Sequence, residues 1–443
     1  MKILEYTLGL PPLRRGGLPR YSTDLSSELS QNHQVYLLYP GQINPYSKKI
    51  KLAVKRNAYP FETIEMKNPL PVSLGLGIQD EDSYMDQRDI SALKDLVKNL
   101  QPDVVHFHTI MGMPKEFFEY LHSNNIKTVY TTHDFYGLCP KMLVNDPKEA
   151  LKTSKCSYDC MLCNVGPSYK KIVIMQSHLY AKLKNNKIIK KIRSKNKSGL
   201  TLENNEVSFL DEEIEKKYKL RKYYFEIFKL IDIFHFNSSV SKSYFQHYFP
   251  NIVGRVIPIT HSDLQDNRNK SNTDINKPIE LGYIGPYDKK KGFYLYTQIL
   301  EKIKVKNQFK ANFYGDIAER DILKNKPFIN HGILSQKNLN KEYKKLDLIV
   351  VPSLWHETFG YVVLEALLNG IPCLVSNNVG AKDLLPDSWI FDNENELRVK
   401  LESLIDNPAK IQRMKEKIVT LKLPYSMSEH VKRIVTNIYN DKI

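Results

Sequence analysis

Along the first part of the chain, short apolar runs of strand length alternate with segments whose apolar residues recur at helical spacing. MKILEYTLGL opens as a strand, PPLRRGGLPRYSTDLSSELSQ brings Gly16-Gly17 and then a helix, and QVYLLYP is a second strand. DVVHFH (103–108), KTVYTTHD (127–134), IDIFHFNS (231–238) and GRVIPI (254–259) continue the series. The polar stretch SDLQDNRNKSNTDINKP has linker composition. Beyond it the pattern restarts with IELGYIG (279–285), KANFYGD, LDLIVVPS, IPCLVS and SWIFD, with helical segments between. Strands alternating with helices predict an α/β fold of two doubly wound halves with parallel sheets, which bind ligands at the carboxyl ends of their strands. The expected division is 1–262 and 278–423, with a tail over 424–443.

The stretch PSLWHETFGYVVLEALLNG (352–370) places Glu357 and Glu365 eight positions apart, on either side of a Thr358-Phe359-Gly360 turn that opens a helix. LDLIVVPS before it reads as a strand, and Asn369-Gly370 stops the helix. A strand feeding a helix through a tight Gly turn aims backbone N–H groups and the positive helix end at one point, which suits a phosphate. One carboxylate then reaches the part of a ligand beyond the phosphate, while the other receives nucleoside hydroxyls. By spacing alone, the pair also fits a solvated helix face.

Other candidates follow from the same logic. Gly16-Gly17 opens a helix after a strand, where bare backbone can approach a phosphate. GYIGPYDKKKGF ends a strand at Gly285 and then supplies Lys289, Lys290 and Lys291-Gly292. His133 ends a strand in TTHDF. His106 and His108 alternate with Val105 and Phe107, the pattern of hydrogen-bonded core or ligand-lining side chains.

At 443 residues the chain exceeds one ordinary core, and 42% hydrophobic content with 11% aromatics supports packed globules. No apolar run approaches bilayer length and the N-terminus lacks the features of a cleaved signal, so a cytoplasmic protein is expected. The net charge of +16 is densest over 170–197, KKIVIMQSHLYAKLKNNKIIKKIRSKNK, where interleaved apolar residues suggest a basic amphipathic helix suited to an anionic membrane surface. A solvated basic face is the plainer reading, and no nucleic-acid motif accompanies the charge. Cys139, Cys156, Cys160 and Cys163 cluster in sequence; they are candidates for a structural zinc site or for reduced thiols in an insert spanning about 139–225. Cys373, in IPCLVS, reads as a buried strand residue.

The 352–370 segment resembles the donor-site signature of the retaining glycosyltransferases of family four (the group 1 family), PS-x-x-E-x-FG-x-x-x-x-E-A-x-x-x-G-x-P. The resemblance implies a GT-B architecture, with two Rossmann-like domains facing across a cleft and the tail from about Pro424 packing back on the first. It implies transfer of a sugar from a nucleotide-sugar donor with retention of configuration, with no cofactor required for catalysis. In such enzymes the first Glu lies against the donor sugar, the following amides hold the diphosphate and the second Glu takes the ribose: here Glu357, Thr358 to Tyr361, and Glu365. Lys291-Gly292 resembles the end of the family's G-R-x-x-x-x-K-G motif, but Pro286 stands where the phosphate-binding Arg is usual, leaving Lys289 or Lys290 to compensate. His133 matches a His often found beside the reacting sugar, and NHGILS (330–335, with Leu334) resembles the segment whose backbone meets the nucleobase. Relatives that build surface polysaccharides also show HD-x-x-x-x-CP before a Cys-rich insert, which supports a local structural role for the cysteines, while the basic run 170–197 leads to the expectation of a lipid-linked or other glycan acceptor at the inner membrane face. A nucleotide-sugar epimerase and an inactive nucleotide-sugar-binding subunit are the alternatives.

Overall fold

The computed structural model describes residues 1–14, 16–73, 77–138, 156–157, 167–183, 186, 206–207, 209–268, 278–304, 308–316, 320–324 and 327–441. The chain divides into two compact units: Met1–Asn237 with Lys242–Ile257 and Met427–Ile443, and Ser238–Ser241 with Pro258–Ser426. The second unit therefore begins at Pro258, a few residues before the expected boundary at 262, and also takes the four residues Ser238–Ser241.

Unit 1 contains β1 (Lys2–Tyr6), β2 (Gln34–Pro40), β3 (Lys51–Lys55), β4 (Glu62–Lys67), β5 (Val104–Phe107), β6 (Lys127–Thr131), the two-residue β7 (Cys156–Ser157) and β8 (Glu206–Val207), β9 (Ile233–Phe236) and β10 (Gly254–Val256). Its main sheet runs β10-β9-β6-β5-β1-β2-β4-β3. All neighbours are parallel except β3 and β4, an antiparallel hairpin at the edge. That hairpin was not expected: KLAVK is charged at both ends and ETIEMK carries Glu62, Glu65 and Lys67, so both lack the continuous apolar signature of the doubly covered central strands. Phe107, Phe117, Phe118, Tyr130, Phe228 and Phe245 fill the core beside the central strands. The tail Met427–Ile434 is helical, continues as a π turn over Val435–Tyr439 and belongs to unit 1, where Lys127 Nζ donates to the Tyr439 carbonyl at 3.0 Å.

Unit 2 contains β11 (Ile279–Ile284), β12 (Phe309–Tyr314), β13 (Phe328–Gly332), β14 (Leu348–Val351), β15 (Cys373–Ser376) and β16 (Ile390–Phe391). They form a parallel sheet in the order β13-β12-β11-β14-β15-β16. β11 sits at its centre beside β14, so the loops after these two strands emerge at the same edge. The segment entering the linker is anchored: Arg268 Nη1 donates to the carbonyls of Ile418 and Leu421 at the end of the helix Ala409–Val419. A guanidinium there satisfies carbonyls that the helix itself cannot.

The basic run is not one continuous helix where it is described. Tyr169–Met175 and His178–Leu183 are separate short helices, and Lys187 to Lys197 lie outside the described residues. Ile172 is buried, and Gln176 accepts the Val72 N–H at 2.8 Å, which fixes the first helix to unit 1. No helix among the described residues is long and apolar enough to cross a membrane.

Candidate functional site

In unit 2 the loops after β11 and β14 are laced together. The N–H groups of Leu354 and Trp355 both donate to the Lys290 carbonyl, at 2.9 and 3.1 Å. Gly292 lies at φ +70°, and a Cβ there would stand 1.8 Å from the Pro352 carbonyl oxygen, so only glycine allows the loops to close this tightly. Lys291 N–H donates to Asp288 Oδ1 at 2.9 Å, and Lys291 Nζ lies 2.9 Å from Glu357 Oε1. The Lys290 ammonium instead lies over the Trp355 ring, 5.1 Å from its centroid. Gly285 donates its N–H to the Tyr314 carbonyl, and the Pro286 carbonyl accepts from Tyr283.

Glu357 is also held through its backbone, bridging to Asn378 and Gly380. Gly360, at φ +99°, precedes the helix Tyr361–Leu368, with Val379 in the space a Cβ would take. Thr358 is fixed through its carbonyl by Ser238, and Phe359 is buried. Glu365 lies in that helix, where Tyr343 donates to its Oε2 at 3.0 Å and His261 Nε2 stands 3.4 Å from its Oε1. Tyr361 packs edge-on against His261 and donates to the Thr260 carbonyl. Leu334 lies in the loop between β13 and the helix Gln336–Tyr343, whose last residue is the Tyr343 that holds Glu365.

Unit 1 carries the other candidates. Gly16 is the turn before the helix Gly17–Leu29, and Tyr21 of that helix packs its ring 4.8 Å from that of His133. His133 Nε2 lies 3.3 Å from His108 Nδ1, and His108 Nε2 lies 2.5 Å from Glu5 Oε2. Burial, reinforced by the neighbouring rings of His108, His235, His106 and His430, holds His133 well below the usual histidine range. His108 is lowered to about 4, by burial and His106 against the pull of Glu5. Burial alone would raise Glu5, but His106 and His108 outweigh it and bring it down to about 2. Asp134, beside His133, is raised to about 6 by burial, against a hydrogen bond from the Tyr136 N–H.

Of the cysteines, Cys156 lies in the short strand paired with Glu206–Val207, while Cys139, Cys160 and Cys163 lie outside the described residues. Cys373 is a buried free thiol in β15, and burial pushes its pKa up. Among the described residues, Glu5, His106 and His108 are a group whose ligand atoms are close enough to hold a metal ion.

Two family models match the chain, Glycosyltransferase Family 4 over residues 15–157 and Glycosyl transferases group 1 over residues 265–419. The chain belongs to the family-four, group 1 glycosyltransferases. An uncharacterized 41.2 kDa protein in the cps region of Klebsiella pneumoniae is 29% identical over 114 residues, 25% of this chain and 30% of that protein. The sulfoquinovosyl transferase SQD2 of Arabidopsis thaliana is 28% identical over 121 residues, 26% of this chain and 23% of that protein. The chain thus aligns with less than a third of either relative. Among solved structures, Anabaena HepE in complex with UDP and glucose aligns at TM-score 0.54 and 13% identity, over 99% of this chain and 100% of its own. WaaG, a glycosyltransferase involved in lipopolysaccharide biosynthesis, aligns at TM-score 0.55 and 13% identity, over 98% and 99%. These likenesses show that this family-four glycosyltransferase has the GT-B fold of two Rossmann-like domains.

The side chains that support these candidates leave no local pattern in the sequence. Tyr343 and His261 reach Glu365 from 22 and 104 positions away along the chain, and no local spacing announces them. Glu5 did leave a signal: a lone carboxylate in the apolar strand KILEY, where an unpaired charge would be costly to bury.

Proposed function

We propose that the protein is a retaining glycosyltransferase that moves a sugar from a nucleotide-sugar donor to a lipid-linked glycan acceptor in surface polysaccharide or glycoconjugate synthesis. The observation that carries this reading is the arrangement in unit 2, where Lys291 and Glu357 pair at the start of the helix that holds Glu365. In the proposed complex, Lys291, the Phe359 and Gly360 amides and the positive helix end stabilise charge developing on the departing diphosphate. Glu357 faces the donor sugar. Glu365 accepts ribose hydroxyls, with Tyr343 holding one of its oxygens and His261 beside the other. The leaving phosphate and the attacking hydroxyl act on the same face of the sugar, so the anomeric configuration is retained without a protein nucleophile.

Two further observations support the finer points. HepE has been solved with UDP and glucose, which makes a uridine diphosphate sugar the first donor to try. Ile174, Leu179 and Leu183 are exposed on the two short helices beside Lys170, Lys171 and Lys182, a mixture suited to an anionic lipid surface. This supports a peripheral position at the cytoplasmic membrane face.

The test is a panel of uridine, guanosine and adenosine diphosphate sugars read by thermal shift. At least one should raise the melting temperature of the wild type and not that of Glu365→Ala. A panel that shifts neither protein removes the donor site from the account. A donor interconverted with its epimer, without release of diphosphate, would favour an epimerase instead.

A further inference from the structure

The Ile257 carbonyl can only accept, and the protons of the buried histidines in unit 1 can be placed by working outward from it. His235 Nε2 lies 2.7 Å from that carbonyl, so Nε2 carries the proton. Burial, reinforced by His430, holds His235 well below the usual histidine range; the ring is neutral and its Nδ1 accepts. The partner of Nδ1 is the Thr131 hydroxyl at 2.8 Å, and donating there uses its single proton. Thr131 Oγ1 must therefore accept from His106 Nε2, 2.7 Å away.

The other end of His106 is constrained in the same way. Tyr439 donates its only phenolic proton to Glu5 Oε1 at 3.0 Å, so it must accept from His106 Nδ1 at 2.8 Å. Both nitrogens of His106 then carry protons. The resulting imidazolium lies 3.5 Å from the Glu5 carboxylate, which balances its charge in a fully buried setting. Glu5 Oε2 takes the His108 Nε2 proton, which leaves His108 Nδ1 as an acceptor for the Nε2–H of His133.

We propose that Glu5, acting through His108, is a positioning residue that holds His133 as the neutral Nε2–H tautomer with an accepting Nδ1, while doubly protonated His106 neutralises Glu5. His133, the residue expected beside the reacting sugar, is thereby held as one neutral tautomer in one ring orientation. The role assigned to His133 rests on the transferase reading above, whereas the proton placement does not. Every ligand atom of the Glu5, His106 and His108 group is already engaged, so the group is a hydrogen-bonding device and not a metal centre.

The test uses the full chain labelled with nitrogen-15 at histidine and long-range nitrogen–proton correlations at pH 8. Loss of individual signals in His106→Gln, His108→Gln and His133→Gln assigns the rings. The expected spectrum has protons on both nitrogens of His106, and on Nε2 alone of His108 and His133. In Glu5→Gln the amide lets Tyr439 turn its proton toward His106, which should drop to a single Nε2 proton while the tautomer of His133 is unchanged. A single proton on His106 in the wild type, or a proton on His133 Nδ1, overturns the proposal whatever the enzyme transfers. The kinetic arm is His108→Leu, expected to lower kcat by about tenfold with donor KM within about twofold, and His108→Gln, whose carbonyl can accept from His133, expected to recover most of it. An unchanged kcat in a folded His108→Leu protein would sink the positioning role even if the proton placement holds.

Discussion

Lys291 and Glu357 occupy each other at 2.9 Å, and a donor diphosphate would draw the ammonium toward itself. Lys291→Ala and Glu357→Gln should each raise the barrier to transfer by about 3 kcal/mol, with little change in stability because both side chains reach solvent. Steady-state kinetics beside a melting curve separates the two effects. Gly292→Ala should do the reverse, destabilising unit 2 by about 2 kcal/mol or more, since its new methyl meets a backbone carbonyl that cannot move aside. A denaturation midpoint equal to that of the wild type would contradict the reading of that loop. Of these residues, Glu357 and Glu365 were singled out by a turn, a helix start and a fixed spacing within one short segment, and Lys291 by a separate Lys-Gly pair that follows the strand ending at Gly285. Tyr343, His261 and Tyr439 were not, because a hydrogen bond made by folding leaves no mark at either end of the sequence separation.

The tail contributes to unit 1 as an element rather than as an appendage. His430 meets Tyr21 at 2.7 Å, Tyr439 joins Glu5 to His106, and Arg255 pairs with Asp441 at 3.2 Å. Deleting 427–443 strips partners from several buried polar groups at once, each costing about 1–3 kcal/mol when left unsatisfied. Hydrogen exchange should then show β1, β5 and β6 losing protection while β11 and β14 keep theirs. Equal protection throughout would mean the tail is dispensable. The central strands were legible as apolar runs, and β2 was expected over the residues it occupies. The β3–β4 hairpin escaped because Lys51 and Lys55 on the edge strand β3, and Glu62, Glu65 and Lys67 on β4 beside it, break any continuous apolar run.

Across the whole molecule, the buried histidines make acid stability a property of unit 1. His108 titrates near 4 when folded against an ordinary 6.5, and His133 and His235 lie well below 6.5, so the unfolded chain binds protons first. Their contribution is complete above about pH 6.5 and is lost as pH falls toward 4. Asp134 runs the other way, since its folded value near 6 stabilises the acid side and that contribution is lost as pH rises through 6, and so does the protonated His106 proposed above, which makes two groups against three. Exchange protection of β1, β5 and β6 should therefore fall between pH 7 and 5. Both tryptophans, Trp355 and Trp389, lie in unit 2, and their fluorescence should report a smaller change in its denaturation midpoint. The net charge of +16 predicts binding to anionic vesicles that weakens as salt rises, and Ile174→Asn with Leu179→Asn should weaken it further. The central claim, sugar transfer from a nucleotide donor at the Lys291–Glu357 site, is tested most directly by diphosphate release from the donor that the panel selects, compared between wild type and Lys291→Ala. The account predicts release by the wild type, a drop of about a hundredfold in the variant, and a product sugar with the anomeric configuration of the donor. Release at the same rate from both proteins, or an inverted product, would contradict it.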